Sequence, residues 1–271
     1  MRCAPLPSLV ERGWGRGFMV NFMKITFLGT GTSTGVPYIG CNCEVCRSED
    51  PRDRRLRCSS LIEVNGKNIL IDCGPDFRQQ ALRAGFSHLD AILLTHEHFD
   101  HLGGIDDLRP FGDATIYADK QTIESVRKIF SYCFNNSYPG IPSLTLHEIE
   151  NRSFRMCGID VLPVKAYHYK SSVFGYRIEN MAYLTDFKTI EPQEEQKLLN
   201  LDVLVVDALR HREHISHVNL KETLELIRRV SPKKAYLIHM SHGIGLHAKE
   251  ELLLPPNVYF AYDGLEVEIK F

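Results

Sequence analysis

The segment Thr95-His96-Glu97-His98-Phe99-Asp100-His101 gathers three imidazoles and a carboxylate within six residues, directly after the apolar run Ala91–Leu94. In an extended loop, residues two apart point the same way, so His96 and His98 can grip one ion. Asp100 and His101 are then turned toward a different point, which suits a second ion beside the first. Imidazole and carboxylate are ordinary ligands for zinc, manganese or iron, and a His-rich solvated loop is the plain alternative. Three further candidates share this placement at or beyond strand-like runs: His168 after Asp160–Pro163, Asp186 after Met181–Leu184, and His239 after Ala235–Ile238. Strand ends that converge on one rim are where α/β folds collect polar function. Taken singly, each reads as a turn residue or a satisfied structural His. As a set they complete two coordination spheres.

A second cluster is built from sulfur. Cys41, Cys43 and Cys46 lie in the segment CNCEVC, a knuckle able to offer three thiolates to one tetrahedral ion. The fourth ligand is expected at His242, three residues after His239. A closed site of three Cys and one His leaves no position for substrate, so its role is structural. It ties the loop after the first strand to the loop carrying His239. The alternative is a reactive or merely buried cysteine group.

The elements that must position these groups follow from periodicity. Period-two apolar runs predict strands at Lys24–Leu28, Ser60–Val64, Asn68–Ile71, Ala91–Leu94, Thr115–Tyr117, Asp160–Pro163, Val173–Ile178, Met181–Leu184, Val203–Val206, Ala235–Ile238 and Val258–Ala261. Helical patterns fall at Asp76–Ala84, Gln121–Phe130, Glu194–Leu199 and Leu220–Arg228. Many strands with fewer helices imply a layered α/β domain of two sheets covered by helices. Residues 1–22 are rich in Arg, Gly and Pro and read as an extension outside a domain spanning 23–271. The 271 residues carry a net charge of −2, which excludes a bulk polycationic surface. No apolar run is long enough for a membrane span and no export signal is read, so a cytoplasmic chain with reduced thiols is expected.

HEHFDH followed by His168, Asp186 and His239, with FLGTGTSTGVP and LIDCG upstream, resembles the metallo-β-lactamase superfamily of binuclear hydrolases. The resemblance implies an αβ/βα four-layer sandwich with two divalent metals, zinc or manganese or iron, at one edge. It implies that His96, His98 and His168 hold the first ion and Asp100, His101 and His239 the second, with Asp186 bridging. The His at position 98, where the redox diiron branch has Glu, implies hydrolysis. Asp72 in LIDCG is expected to anchor the ligand loop, or to be a plain turn Asp. The knuckle and the late HMSH pair are similar to the PhnP-like phosphoribosyl cyclic phosphate phosphodiesterases. That likeness implies a structural zinc on Cys41, Cys43, Cys46 and His242, and a catalytic His at His217, with His211 and His214 as neighbouring candidates. It also suggests a homodimer.

The implied chemistry is attack on a small, cyclic phosphodiester by a hydroxide held between two ions, with Asp100 and Asp186 orienting it and His217 protonating the leaving oxygen. Lys170, Ser171 and Ser172 follow a ligand and could hold a second phosphate, or form a solvated loop. The HYKSSVFGY stretch around His168 is one residue longer than the group's usual segment, so reaction class carries over better than substrate. Residues 130–141, rich in aromatics, read as a loop packed by its own rings, with a lid as the rival. A nuclease of the tRNA 3′-processing type shares the ligand set, but the balanced charge weighs against a long RNA. A non-catalytic metal- or cofactor-binding protein of the pyrroloquinoline-quinone biosynthesis type carries a similar knuckle. The complete ligand set weighs against it.

Overall fold

In the computed structural model, which describes residues 22–135 and 139–271, the side-chain alternation along each strand decides the architecture. The first half of the chain forms β1 (Phe22–Gly29), β2 (Ser59–Val64), β3 (Lys67–Ile71), α1 (Phe77–Ala84), β4 (Ala91–Leu93), α2 (Phe99–Leu102), β5 (Asp113–Ala118), α3 (Lys120–Ile129) and β6 (Ser143–Glu148). The second half forms β7 (Phe154–Met156), β8 (Ile159–His168), β9 (Ser171–Ile178), β10 (Met181–Leu184), β11 (Thr189–Ile190), α4 (Pro192–Glu195), β12 (Val203–Asp207), α5 (Leu220–Val230), β13 (Lys234–Ile238), α6 (His247–Glu250), β14 (Val258–Phe260) and β15 (Glu266–Lys270). One sheet has the order β15-β1-β2-β3-β4-β5-β6 and the other β11-β8-β9-β10-β12-β13-β14, with β7 paired to β8.

Ile69 and Ile71 of β3 face the second sheet, where Met181, Tyr183, Val203 and Val205 meet them, while Leu70 faces outward onto Phe77, Ile123 and Val126. Ala182, Leu184, Leu204 and Val206 face outward on the other side, onto Leu226, Ile227 and Val230 of α5. Strands buried on both faces give three stacked cores and the expected αβ/βα four-layer sandwich. The start of α5 is held by a capping box, Asn219 and Glu222 each bonding the other's backbone N–H.

The expected strands and three of the four helices form within a few residues of their predicted bounds. The segment 194–199 is instead split into α4 and a 3-10 turn at Gln196–Leu198. Strands β6, β7, β11 and β15 were not expected. Their apolar content is low; in β15, for example, only Val267 and Ile269 face the core between charged residues. The predicted extension falls almost wholly outside the described residues, and β1 opens at Phe22, one residue before the expected boundary.

Parallel pairing unites β3, β4, β5 and β6 in one sheet and β10, β12, β13 and β14 in the other. Their carboxyl ends therefore share one edge of the sandwich. There the exit of β3 is laced to α2: Cys73 N–H donates to the His101 carbonyl (2.7 Å) and Gly104 N–H to the Cys73 carbonyl (2.8 Å). The approach is so close that a Cβ on Gly74 would stand 2.0 Å from the Asp100 carbonyl oxygen. Gly74→Ala must move the backbone carrying Asp100 and His101. It should lower bound metal per chain and cost about 1–3 kcal/mol of stability. Metal analysis with denaturant unfolding checks this; unchanged values for both would contradict it.

Candidate metal centre

Six strand ends deliver the centre: Asp72 after β3, the His96–His101 segment after β4, His168 at the end of β8, Asp186 after β10, Asp207 ending β12 and His239 after β13. Asp72 (φ 62°), Asp186 (φ 54°) and His239 (φ 56°) all adopt the left-handed backbone region, uncommon for side-chain-bearing residues and frequent at functional turns. The ligand loop is extended only as far as His98 (φ −66°, ψ 144°), and α2 begins at Phe99. This corrects the expectation of a fully extended loop. Helical backbone explains how the adjacent residues Asp100 and His101 serve the same point, with His101 Nε2 at 3.1 Å from Asp100 Oδ2.

Asp100, His101, Asp186 and His239 bring one ligand atom each within 4.8 Å of one another, and His96, His98 and Asp186 do the same. Asp186 belongs to both groups. One of its oxygens lies 3.0 Å from His239 Nε2 and 3.4 Å from His101 Nε2, and the other 3.7 Å from His96 Nε2. His168 borders the second group, its ring 5.0 Å from that of His98 and 5.9 Å from that of His96.

Hydrogen bonds to the outer ring nitrogens orient the imidazoles. His101 Nδ1 donates to Asp72 Oδ2 (2.7 Å), and Asp72 also accepts the Thr95 N–H (2.8 Å) and hydroxyl (3.0 Å). With its proton committed to Asp72, the Thr95 oxygen accepts from His96 Nδ1 at 3.0 Å. His168 Nδ1 donates to the Ser216 carbonyl at 2.9 Å. Each of these rings thus presents Nε2 to the centre. Asp72 is the anchor of the ligand loop rather than a plain turn residue.

Metal fits this donor set on two counts. The buried Nε2 atoms of His101 and His239 have no aligned hydrogen-bond partner among the described residues, an expensive arrangement for ring nitrogens left alone. The charges are also matched to cations. Burial alone would lower His101 and His239, yet Asp100 and Asp186 beside them hold His101 well above the ordinary range and His239 at about 10. Conversely, burial raises and His101 with His239 lower the Asp186 carboxyl, leaving it well below the usual value. Burial and the His101 charge push His96 well below its usual value, and burial first brings His168 to about 4. His96 and His168 are therefore held toward the neutral form, and His101 and His239 toward imidazolium–carboxylate pairs.

The sulfur cluster assembles as expected. Cys41, Cys43 and Cys46 Sγ lie 3.3, 3.4 and 3.5 Å from His242 Nδ1. Ligand bonds of about 2.3 Å to sulfur and 2.0 Å to nitrogen require S–N separations near about 3.5 Å in a tetrahedron, so the four atoms suit a zinc ion. Burial opposes ionisation of Cys43, but the Cys46 N–H and His242 bring its pKa to about 6.

Among the three candidate acids, His217 is the one in the centre. It is buried, its ring is 4.5 Å from His168 and 5.0 Å from His239, and Nδ1 is 3.2 Å from Asp207 Oδ2. His214 flanks it at 5.1 Å, and His211 pairs with Glu250 on the surface. Asp207, absent from the sequence reading, is fully buried, and its other oxygen is 3.8 Å from His239 Nδ1. It ends the run VLVVD as Asp186 and His239 end theirs, so the strand-end argument would have found it. Ser171 pairs with His168 across the β8–β9 turn, whereas Ser172 pairs with Tyr167 on the opposite face and lines a separate groove with Lys165. Lys170 lies 5.3 Å from the Tyr169 ring. In the 130–141 segment, Phe130 and Cys133 are buried in the outer core of the first sheet and Tyr132 donates to Asp106 (2.5 Å); residues 136–138 lie outside the described residues.

Residues 67–240 match the family model for a beta-lactamase superfamily domain. The crystal structure of a diphosphatase from the PhnP family superposes with a TM-score of 0.87 at 38% identity, covering 93% of this chain and 99% of that one. The chain belongs to the beta-lactamase superfamily and, within it, to the PhnP family. Zinc-bound PqqB from Methylobacterium extorquens shares the fold at a TM-score of 0.76 and 18% identity, over 90% of this chain and 99% of that one. An octanoyltransferase of Porphyromonas gingivalis is 45% identical over 254 residues, 91% of this chain. This PhnP-family chain spans only 52% of that protein.

Two outcomes follow for this family member. At pH 7 the metal-free centre holds protons on His101 and His239, and a divalent ion needs those Nε2 atoms free. Ion binding should therefore release protons, and affinity should rise with pH from 7 toward 10; titration calorimetry in buffers of different ionisation enthalpy measures it, and no proton release would be the contrary result. Asp72→Ala should weaken metal affinity about 10–100-fold by freeing the His101 and Thr95 contacts, as read by competition with a chelator.

Proposed function

We propose that the chain is a metal-dependent hydrolase of small phosphodiesters or diphosphates in which His217 is the general acid. The observation that carries this reading is Asp207, buried between His217 and His239, which couples a proton donor to the metal ligands. When bound, two divalent ions supply positive charge to phosphoryl oxygens and lower the pKa of water.

The chain's own residues supply position and protons. Asp186 faces both ligand groups and fixes their separation. Asp100 orients His101 and His239 from the solvent side, being within 3.1 Å of one and 3.9 Å of the other. His217 holds Nδ1 toward Asp207, which leaves Nε2 as the atom able to give a proton to a departing alkoxide. Asp207 fixes the orientation of the ring through that contact. A phosphoester with an alkoxide leaving group needs such a donor. The balanced charge of the chain supports a small anion over a long nucleic acid, whose binding relies on many phosphate contacts.

His217→Ala should lower kcat/KM about 10²–10⁴-fold for a diester that expels an alkoxide. It should cost far less for one that expels p-nitrophenolate, with metal content unchanged. An equal loss on both esters would refute the acid role, and activity that survives chelation would refute metal dependence.

A further inference from the structure

Three large apolar side chains stand exposed around the centre: Phe99 at 59%, Tyr169 at 56% and Ile215 at 70%. Each adjoins a residue of the site in sequence. Phe99 lies between His98 and Asp100, Tyr169 follows His168, and Ile215 is two residues before His217. The imidazoles beside them form a continuous row, His98 to His168 at 5.0 Å and His168 to His217 at 4.5 Å. The carbonyl of Ser216, next to Ile215, accepts the His168 Nδ1–H, which fixes the loop bearing Ile215 against the turn bearing Tyr169. The segments that carry the three side chains therefore meet at the centre.

Scattered exposed apolar residues need no explanation, but two of these are held in place. Tyr169 occupies the first position of the two-residue turn joining β8 and β9, with φ 57°. Asn or Gly normally fills such a position, because a bulky side chain is strained there. Lys170 lies against its ring. Phe99 rests on Gly103, where a Cβ would come within 2.6 Å of the ring. A strained backbone that presents an aromatic ring beside a metal ligand suits a binding contact.

We propose that Phe99, Tyr169 and Ile215 form a subsite for the non-reacting arm of the substrate, and that this arm is a planar aromatic group. This rests on the hydrolase reading above. Two ring faces and a flat branched side chain accept a planar group by stacking and apolar contact, while the charged end of the substrate faces the imidazole row.

Bis-p-nitrophenyl phosphate and methyl p-nitrophenyl phosphate share a leaving group and differ in the retained arm. After correction for their uncatalysed rates, the metal-loaded full chain should favour the diaryl ester about tenfold in kcat/KM, chiefly through KM. Tyr169→Ala and Ile215→Ala should draw that ratio toward one, and Tyr169→Phe should preserve it. Leu82→Ala, an exposed apolar residue on α1, serves as the control and should leave the ratio unchanged. Independently of turnover, phenylphosphonate should bind the metal-loaded chain more tightly than methylphosphonate in calorimetry, and Tyr169→Ala should erase the difference. Equal binding of the two phosphonates, or a preference indifferent to Tyr169 and Ile215, overturns the subsite. Preferential binding of phenylphosphonate with neither ester turned over supports the subsite and refutes the phosphodiesterase reading.

Discussion

A carboxylate with no access to water must have its charge met by donors, and at Asp72 that requirement organises the whole edge of the sandwich. Its two oxygens take the Thr95 N–H, the Thr95 hydroxyl and the His101 imidazole. One side chain thereby joins the end of β3 to the end of β4 and to α2. The orientation of His96 follows, because the Thr95 hydroxyl is committed to Asp72 and its oxygen remains for His96. Two ligands of two different groups are set by one buried charge. The glycines at 74 and 104 let the two backbones come close enough for this to happen.

Around that anchor the two ligand groups are electrically unlike. His96 and His168 are held neutral by burial, whereas His101 and His239 are drawn toward the charged form by Asp100 and Asp186. Asp186 touches both groups and so links their charge states. The left-handed backbone of Asp72, Asp186 and His239 is the conformational counterpart of this arrangement: each chain must turn sharply as it leaves its strand to aim a polar group inward. That strain is tolerated because the strands behind it are buried on both faces.

The features legible in the sequence were those with short spacing. HEHFDH and CNCEVC announce their chemistry within six residues each, and apolar runs ending in Asp or His point to a sheet edge. Asp207 satisfied the same pattern but lacked a nearby ligand to draw attention to it; its meaning lies in distance to His217 and His239. The backbone change at Phe99 was hidden because the four residues FDHL are too few to reveal a helical turn by periodicity. The separation of Ser171 from Ser172 required the register of the β8–β9 pair, which places consecutive side chains on opposite faces. Strands such as β15 alternate too weakly to be distinguished from an exposed segment.

His239 and His242 are three residues apart, yet one joins the Asp- and His-lined edge and the other meets thiols brought from the far end of the chain. The separation between Cys41 and His242 is 201 residues. Closing so long a loop carries an entropic cost that tertiary contacts must offset, while the knuckle itself is held locally, Tyr38 N–H donating to Cys46 Sγ at 3.3 Å. Its four ligands come from the loop after β1 in one sheet and the loop after β13 in the other. Met240, between the two histidines, bonds through its N–H to the Thr30 carbonyl and through its carbonyl to the Thr32 N–H, so the seam is stitched at the same place. The sulfur site thus acts as a clasp: beside the Met240 bonds, it fastens the two halves of the chain to each other.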